Sequence, residues 1–248
     1  MTYPNLRRKQ YEQSLFKPED YILKYRKLRP KDFPSSYVFL WNRDTFNYFK
    51  RVFTKKYVPV KLYSHHQVMK MGKIGVVLMT GIGAPHSVTI LEELIALGGK
   101  KFICIGTAGG LHRRGIYLCT KAIRDEGVSS HYLKHTKYAH PNHALSLAFG
   151  KSLSKRGVSF EQKPSWTIDT PYRETIAEVQ KYHKEGVGTV EMEAAALFVV
   201  GQVRTVQVAS GFVVSDVLDK NWEPEFHAIN VTQGLRTLLH AAIDCFSE

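Results

Sequence analysis

Short apolar runs and longer amphipathic stretches alternate along most of the chain. The runs at 37–41 (YVFLW), 73–79 (KIGVVLM) and 101–105 (KFICI) are typical of buried strands. Residues 86–97 carry apolar side chains at helical spacing and end at a glycine pair, which predicts a helix. Strands that alternate with helices favour a single α/β domain.

The remaining elements and the domain boundary follow from the same pattern. Helices are predicted at 45–53, 143–156, 174–184, 190–200 and 230–246, and strands at 116–123 and 205–214. The segment 190–200 is apolar around most of its circumference, so it is predicted to be a buried helix. Residues 1–34 predict an irregular or partly helical lead-in that ends at two proline breaks, and 35–248 the α/β domain.

Composition places the chain among ordinary globular proteins. Its 248 residues are 44% hydrophobic and 23% charged, enough to bury a substantial core. Three scattered cysteines are too few for a disulfide framework and indicate a reducing compartment, hence a cytoplasmic protein. The N-terminus is polar and basic, and no run is long enough to span a bilayer, so we expect neither a signal peptide nor a membrane partner.

The strongly basic charge has two interpretations. A net charge of +13 is compatible with a nucleic-acid binder, but the Lys and Arg residues are spread along the chain. This favours a solvated basic surface, which can help to attract anionic substrates, over a nucleic-acid partner. His65-His66 and His140-x-x-His143 lack the spacing and partners of a helical metal pair, so no metal site is expected.

Two glycine-rich segments follow predicted strands and are candidates for anion binding. They are TGIGAP at 80–85 and GTAGGL at 106–111. Glycine lets backbone N–H groups approach an anion closely, and a following helix N-terminus adds a favourable dipole. Neither segment is a P-loop or a dinucleotide fingerprint, and a tight strand-to-helix turn is the alternative interpretation of each.

Three carboxylates lie in otherwise apolar surroundings. Glu191 and Glu193 are two residues apart in VEMEAAALF, where each would be costly to bury without a donor. One of them capping or ion-pairing the helix start is the alternative. Asp216 follows an apolar run, at the end of a predicted strand where α/β proteins place reactive groups. Capping of the next helix is the alternative for Asp216.

These segments resemble a known family when they are taken together. GIGAP at 81–85, IGTAGGL at 105–111, TVEMEAAALF at 189–198 and VVSD at 213–216 have the order and spacing of the nucleoside phosphorylases, a family that includes purine nucleoside phosphorylases, uridine phosphorylases and methylthioadenosine nucleosidases. The resemblance implies a mixed, twisted, partly barrel-like sheet flanked by helices. It also implies a homo-oligomer, a dimer or hexamer, whose neighbouring subunits close each site. Inorganic phosphate would be a co-substrate, with no metal or organic cofactor.

The same resemblance implies roles for individual residues. Thr107 and its neighbouring amides would contact phosphate, and Met192 would pack under the ribose. Glu193 would accept hydrogen bonds from the ribose hydroxyls, Tyr172 would stack on the base, and Asp216 would donate a proton to the departing base. The full set of implied contacts is Gly83, Gly106, Thr107, Tyr172, Glu191, Met192, Glu193 and Asp216.

The sequence departs from the family at the phosphate site. Family phosphorylases usually place an arginine just before the IGT segment, where this chain has Cys104. Arg43, Arg124 and Arg173 are candidate substitutes. The favoured function is phosphorolysis of a purine ribonucleoside to free base and ribose 1-phosphate. The alternatives are a uridine phosphorylase, a hydrolytic nucleosidase of the same fold, and a non-catalytic nucleoside- or nucleic-acid-binding protein.

Overall fold

All strands of the described chain join one mixed sheet. The computed structural model describes residues 3–53, 58–61, 66–218, 222–226 and 228–247. The strands are β1 (Ser36–Leu40), β2 (Val58–Lys61), β3 (Gln67–Met71), β4 (Ile74–Leu78), β5 (Lys101–Gly110), β6 (Ile116–Asp125), β7 (Tyr138–Ala139), β8 (Glu161–Ile168), β9 (Thr189–Glu191), β10 (Gln207–Val217) and β11 (Glu223–Pro224). The helices are α1 (Arg43–Val52), α2 (Ala84–Ala96), α3 (His143–Lys155), α4 (Ile176–Lys184), α5 (Ala194–Val203) and α6 (Ile229–Ser247).

Part of the sheet closes on itself as a small barrel. The strands β5, β10, β6, β8 and β9 pair in that order, and β9 pairs back to β5. The strands β1, β4, β3 and β2 extend as an open sheet from the first half of β5. The partly barrel-like α/β fold that the resemblance implied is therefore confirmed.

The strand β5 changes partner halfway along its length. On one side it pairs with β1 as far as Ile105 and with β9 only from Gly109. On its other side it stays paired with β10 throughout. Residues 106–108 consequently have a strand neighbour on one side only, and their second edge is open.

Two apolar layers cover the two faces of the sheet. The sequences of its strands are therefore continuous apolar runs. Tyr37 and Phe39 of β1 point into the layer formed with α2 and α5. Val38 and Leu40 point into the layer formed with α1, α3 and α6. Alternation of side chains along a strand places successive residues in opposite layers, so both sets must be apolar.

The prediction of one helix over 190–200 is wrong. The segment is the end of β9, which stops at Glu191, followed by α5, which begins at Ala194. Both elements are buried, so the hydrophobic pattern alone does not separate them. Glu191 marks the boundary, because its Oε2 accepts hydrogen bonds from the backbone N–H groups of Glu193 and Ala194 at 2.8 and 2.7 Å.

The second glycine-rich segment is also not the turn that the sequence predicted. Residues 106–110 continue β5. A Cβ on Gly109 would lie 2.9 Å from Val190 Cγ1, and one on Gly110 would lie 2.8 Å from Val214 Cγ1. These glycines therefore allow close strand packing within the barrel.

The lead-in contributes to the core of the α/β domain. Ile22, in the short helical turn Asp20–Tyr25, is fully buried in the layer that also holds α2 and α5. Leu15 and Phe16, by contrast, are exposed. Within the described ranges, no helix is long and apolar enough to cross a membrane.

Candidate active site

A cavity of about 570 Å³ opens beside the unpaired edge of β5. Its wall is formed by β5, by the junction between β9 and α5, and by β10. Residues from the segments that connect the elements of the fold complete it. The residues predicted to contact substrate that line it are Gly106, Thr107, Tyr172, Glu191, Met192, Glu193 and Asp216. The fold thus brings together residues that are far apart in the sequence.

Glu191 is a buried carboxylate whose acceptor capacity is used by the protein. Its Oε1 accepts hydrogen bonds from Thr167 Oγ1 at 2.5 Å and from Ser165 Oγ at 3.2 Å. Its Oε2 accepts hydrogen bonds from the two backbone N–H groups at the start of α5. A carboxylate offers about four acceptor positions, and all four are occupied. Glu191 therefore fixes the junction of β8, β9 and α5 and has no acceptor position left for a substrate.

Glu193 is the carboxylate that this junction presents to the cavity. It occupies the position before α5 but makes no side-chain cap, and its Oε1 instead accepts the Gly83 N–H at 2.5 Å. Burial raises the pKa of Glu193 to about 8, and the charge of Glu191 adds to the effect. The hydrogen bond from the Gly83 N–H lowers the pKa of Glu193, but its effect is smaller than that of burial.

Gly83 does not line the described cavity wall, and it is connected to the site by the hydrogen bond that its N–H donates to Glu193. Its φ of +89° lies in a region that disfavours side chains, so a glycine is needed to aim this N–H at Glu193. The loop that carries it is fixed at Gly81, whose N–H donates to Nε2 of His86 at 3.1 Å. The first glycine-rich segment is therefore a support for a carboxylate.

The same cavity is lined by two further carboxyl groups, those of Asp216 and Glu174. Asp216 lies on β10, just after an irregularity in its pairing with β5. Its Oδ1 accepts a hydrogen bond from Ser215 Oγ, and its Oδ2 accepts one from Trp222 Nε1, both at 2.9 Å. Glu174 lines the same cavity. Burial raises the pKa of Glu174 to about 7, with the charges of Asp216 and Glu178 adding to the effect.

Sequence reasoning missed Glu174 because it placed this residue inside a helix. The helix begins two residues later, at Ile176, behind a capping box in which Thr175 and Glu178 satisfy each other's backbone N–H groups. The T-x-x-E pattern at 175–178 is the signal that could have placed Glu174 outside the helix.

Aromatic side chains surround the entrance. Tyr172, predicted to stack on a base, lines the cavity while its side chain is fully exposed. Trp41, Phe212, Trp222 and Phe226 also line the cavity. Flat apolar surfaces of this kind suit a planar heterocycle.

The prediction that Arg124 binds phosphate is not supported by its position. Arg124 is buried outside this cavity, with 3% of its surface exposed. Its guanidinium donates to Ser129 Oγ, to the carbonyl oxygens of Leu133 and Lys134, and to Thr136 Oγ1. These bonds use all three of its nitrogens, so Arg124 holds the 129–136 loop in place.

The other two candidate arginines also lie outside the described cavity wall. Arg43 is the first residue of α1, Arg173 ends the turn after Thr170, and both are exposed. Cys104 does line the cavity, and burial raises the pKa of its thiol well above the usual value, with the charge of Glu193 adding to the effect. The described wall therefore contains four carboxyl groups and no Lys, Arg or His. No group of three or more potential metal ligands occurs in the described part of the chain.

Comparisons with known proteins identify the family. A profile of the "Phosphorylase superfamily" matches residues 47–244. A uridine phosphorylase from Treponema pallidum is 31% identical over 153 residues, which cover 56% of this chain and 59% of that protein. A purine nucleoside phosphorylase from Plasmodium vivax is 27% identical over 172 residues, covering 66% and 70%. The crystal structure of an AMP nucleosidase from Bacteroides thetaiotaomicron superimposes with a TM-score of 0.74 and 19% identity, covering 92% and 95%.

The alignment with the Treponema protein thus spans about three fifths of that relative's length. The family profile, in contrast, extends from α1 to α6 and includes every carboxylate of the cavity. Since this match covers most of the 248 residues, the chain belongs to the phosphorylase superfamily.

Proposed function

We propose that this protein cleaves the N-glycosidic bond of a ribonucleoside, with purine nucleosides preferred. The observation that carries the proposal is one cavity that is lined by both Glu193 and Asp216. Its volume, about 570 Å³, is in the range of small-molecule sites. Membership of the superfamily supports the same reaction class.

The residue types fit the chemistry of glycosidic cleavage. The sugar becomes positively charged in an oxocarbenium-like transition state, and a carboxylate beside it favours that charge. Glu193, fixed by the Gly83 N–H, would accept the ribose hydroxyls, and Met192 would pack under the ring. A purine leaves more readily once N7 is protonated, and an acid in the part of the wall that holds Asp216 would supply the proton.

We propose phosphate as the attacking group. Thr107 and the amides of 106–108, at the open edge of β5, would contact it, as amides do in other anion sites. Hydrolysis is the second candidate, because the described wall has four carboxyl groups and no cation. A phosphate dianion is repelled by that charge, whereas water is not.

A nucleoside panel with and without phosphate tests the proposal. We expect inosine, adenosine or guanosine to be cleaved faster than uridine, with saturable phosphate dependence and release of ribose 1-phosphate. We expect Arg43→Ala or Arg173→Ala to raise the KM for phosphate, and Arg113→Ala, at an exposed ion pair, to leave it unchanged. Full turnover without phosphate, releasing free ribose, would establish hydrolysis. Faster cleavage of uridine would refute the purine preference.

We further propose that the protein is a homo-oligomer whose subunits cover the cavity entrance. Four large hydrophobic side chains on the cavity wall are also exposed: Ile82, Tyr172, Trp222 and Phe226. Apolar surface gathered at a rim is typical of an interface. Light scattering should give a mass of at least two chains, and Ile82→Asp should lower it. A fully active monomer would refute this arrangement.

A further inference from the structure

Glu174 differs from the other carboxyl groups of the cavity in having no assigned partner. The preceding turn, Pro171–Arg173, and the capping box at Thr175 fix its backbone on the cavity wall. Its side chain makes no hydrogen bond to any of the described residues. The carboxyl group of Glu174 is therefore available to a ligand.

Asp216, its neighbour, is engaged on both oxygens. The hydroxyl of Ser215 and the indole N–H of Trp222 donate to it, each at 2.9 Å. Hydrogen bonds from two donors stabilise a carboxylate as the anion. A carboxyl group that lacks such donors in the same desolvated cavity holds its proton more readily, and Glu174 is that group.

We propose, in a step that rests on the proposed function, that Glu174 is the acid that donates the proton to the departing base, while Asp216 keeps its two hydrogen bonds beside it. The O–H bond of Glu174 breaks and an N–H bond forms at N7 of the purine. The C1′–N9 bond breaks, and its electron pair passes to the protonated base. An oxygen of phosphate forms the new bond to C1′; in the hydrolytic case the oxygen of water does so, and one O–H bond of that water breaks as its proton passes to solvent. The Glu174 carboxylate then regains a proton from solvent at the open entrance.

The charges of two described residues act on Glu174, and both are negative. They are Asp216, from β10, and Glu178, from α4, and both raise the pKa of Glu174 in addition to the larger effect of burial. Its pKa of about 7 keeps a large protonated fraction at neutral pH. Because the acid form is the active form, activity that depends on Glu174 is lost as the pH rises above this range.

The test compares pH profiles of kcat/KM for inosine in wild type, Glu174→Gln and Asp216→Asn. We expect Glu174→Gln to lower kcat/KM by about 10²–10⁴-fold and to abolish the fall at alkaline pH. Asp216→Asn should keep that fall, because Glu174 still titrates. Glu185→Gln, an exposed carboxylate paired with Lys137, is the matched control and should behave as wild type.

A second substrate separates acid catalysis from a structural role. An N7-methylated purine nucleoside already carries the positive charge and needs no proton. Glu174→Gln should cleave it at nearly the wild-type rate. The role of Glu174 is refuted if kcat/KM of Glu174→Gln for inosine still falls at alkaline pH. It is also refuted if the variant loses activity on both substrates equally. In either case, nucleoside cleavage stands. If wild type cleaves no nucleoside, the proposed function is refuted and this role with it.

Discussion

Glu193→Gln is expected to lower kcat/KM for the preferred nucleoside by at least about 10²-fold while the fold stays intact. The change removes the carboxyl group that can ionise beside the proposed ribose position, but it removes little volume, and an amide oxygen remains to accept the hydrogen bond from the Gly83 N–H. Steady-state kinetics on the purified variant measure the loss. Near-normal kinetics in a well-folded variant would remove Glu193 from the site.

The same substitution should not destabilise the protein. The pKa of Glu193 in the folded chain is about 8, above its ordinary value of 4.5, so ionisation costs stability as the pH rises between these values. Glu193→Gln should therefore have a higher Tm than wild type near pH 8, and the difference should shrink toward pH 4.5. Glu93→Gln is a matched control, because burial raises the pKa of this carboxyl too. We expect it to leave kcat/KM unchanged.

Arg124→Ala is expected to lower the free energy of unfolding by about 3 kcal/mol or more, without a selective rise in the KM for phosphate. The substitution removes a buried guanidinium and leaves the carbonyl oxygens of Leu133 and Lys134 without their donor. Urea unfolding measures the loss.

Arg124→Lys should also be destabilising, because an ammonium group cannot reproduce the planar arrangement of donors. The exposed Arg43→Ala serves as the control and should change stability by less than about 0.5 kcal/mol. An Arg124 variant of normal stability with a raised phosphate KM would restore Arg124 to the phosphate site.

Most of the fold could be predicted because its strands are buried on both faces. The runs that became β1, β4 and β5 are apolar at successive positions, as that environment requires. The strand β8 escaped prediction because it begins with polar residues and contains Pro164. Residues 190–200 were assigned to one helix because a buried strand and a buried helix are equally apolar.

The candidate site could be predicted where chemistry demands an unusual residue in unusual surroundings. Glu193 and Asp216 stand out as carboxylates in apolar sequence. Arg43, Arg124 and Arg173 were selected by charge alone, and charge does not reveal whether a side chain is in solvent, tied to a loop or in a cavity. Glu174 was overlooked because it was placed inside a predicted helix, where an acidic residue is ordinary, and only its tertiary neighbour Asp216 makes it unusual.

The carboxylate of Glu191 makes two parts of the cavity wall differ in how freely their side chains can change. It accepts hydrogen bonds from hydroxyl groups of β8 and from the backbone N–H groups at the start of α5, so the wall at the β9–α5 junction is part of the barrel itself. A substitution there disturbs the scaffold and the proposed sugar site together. The proposed base side of the wall is lined instead by Pro171, Tyr172, Glu174, Trp222 and Phe226, and the side chains of Tyr172 and Trp222 are exposed. On the proposed function, selection can therefore alter which base is accepted by replacing side chains on this side, while the groups proposed to bind the sugar are inherited unchanged.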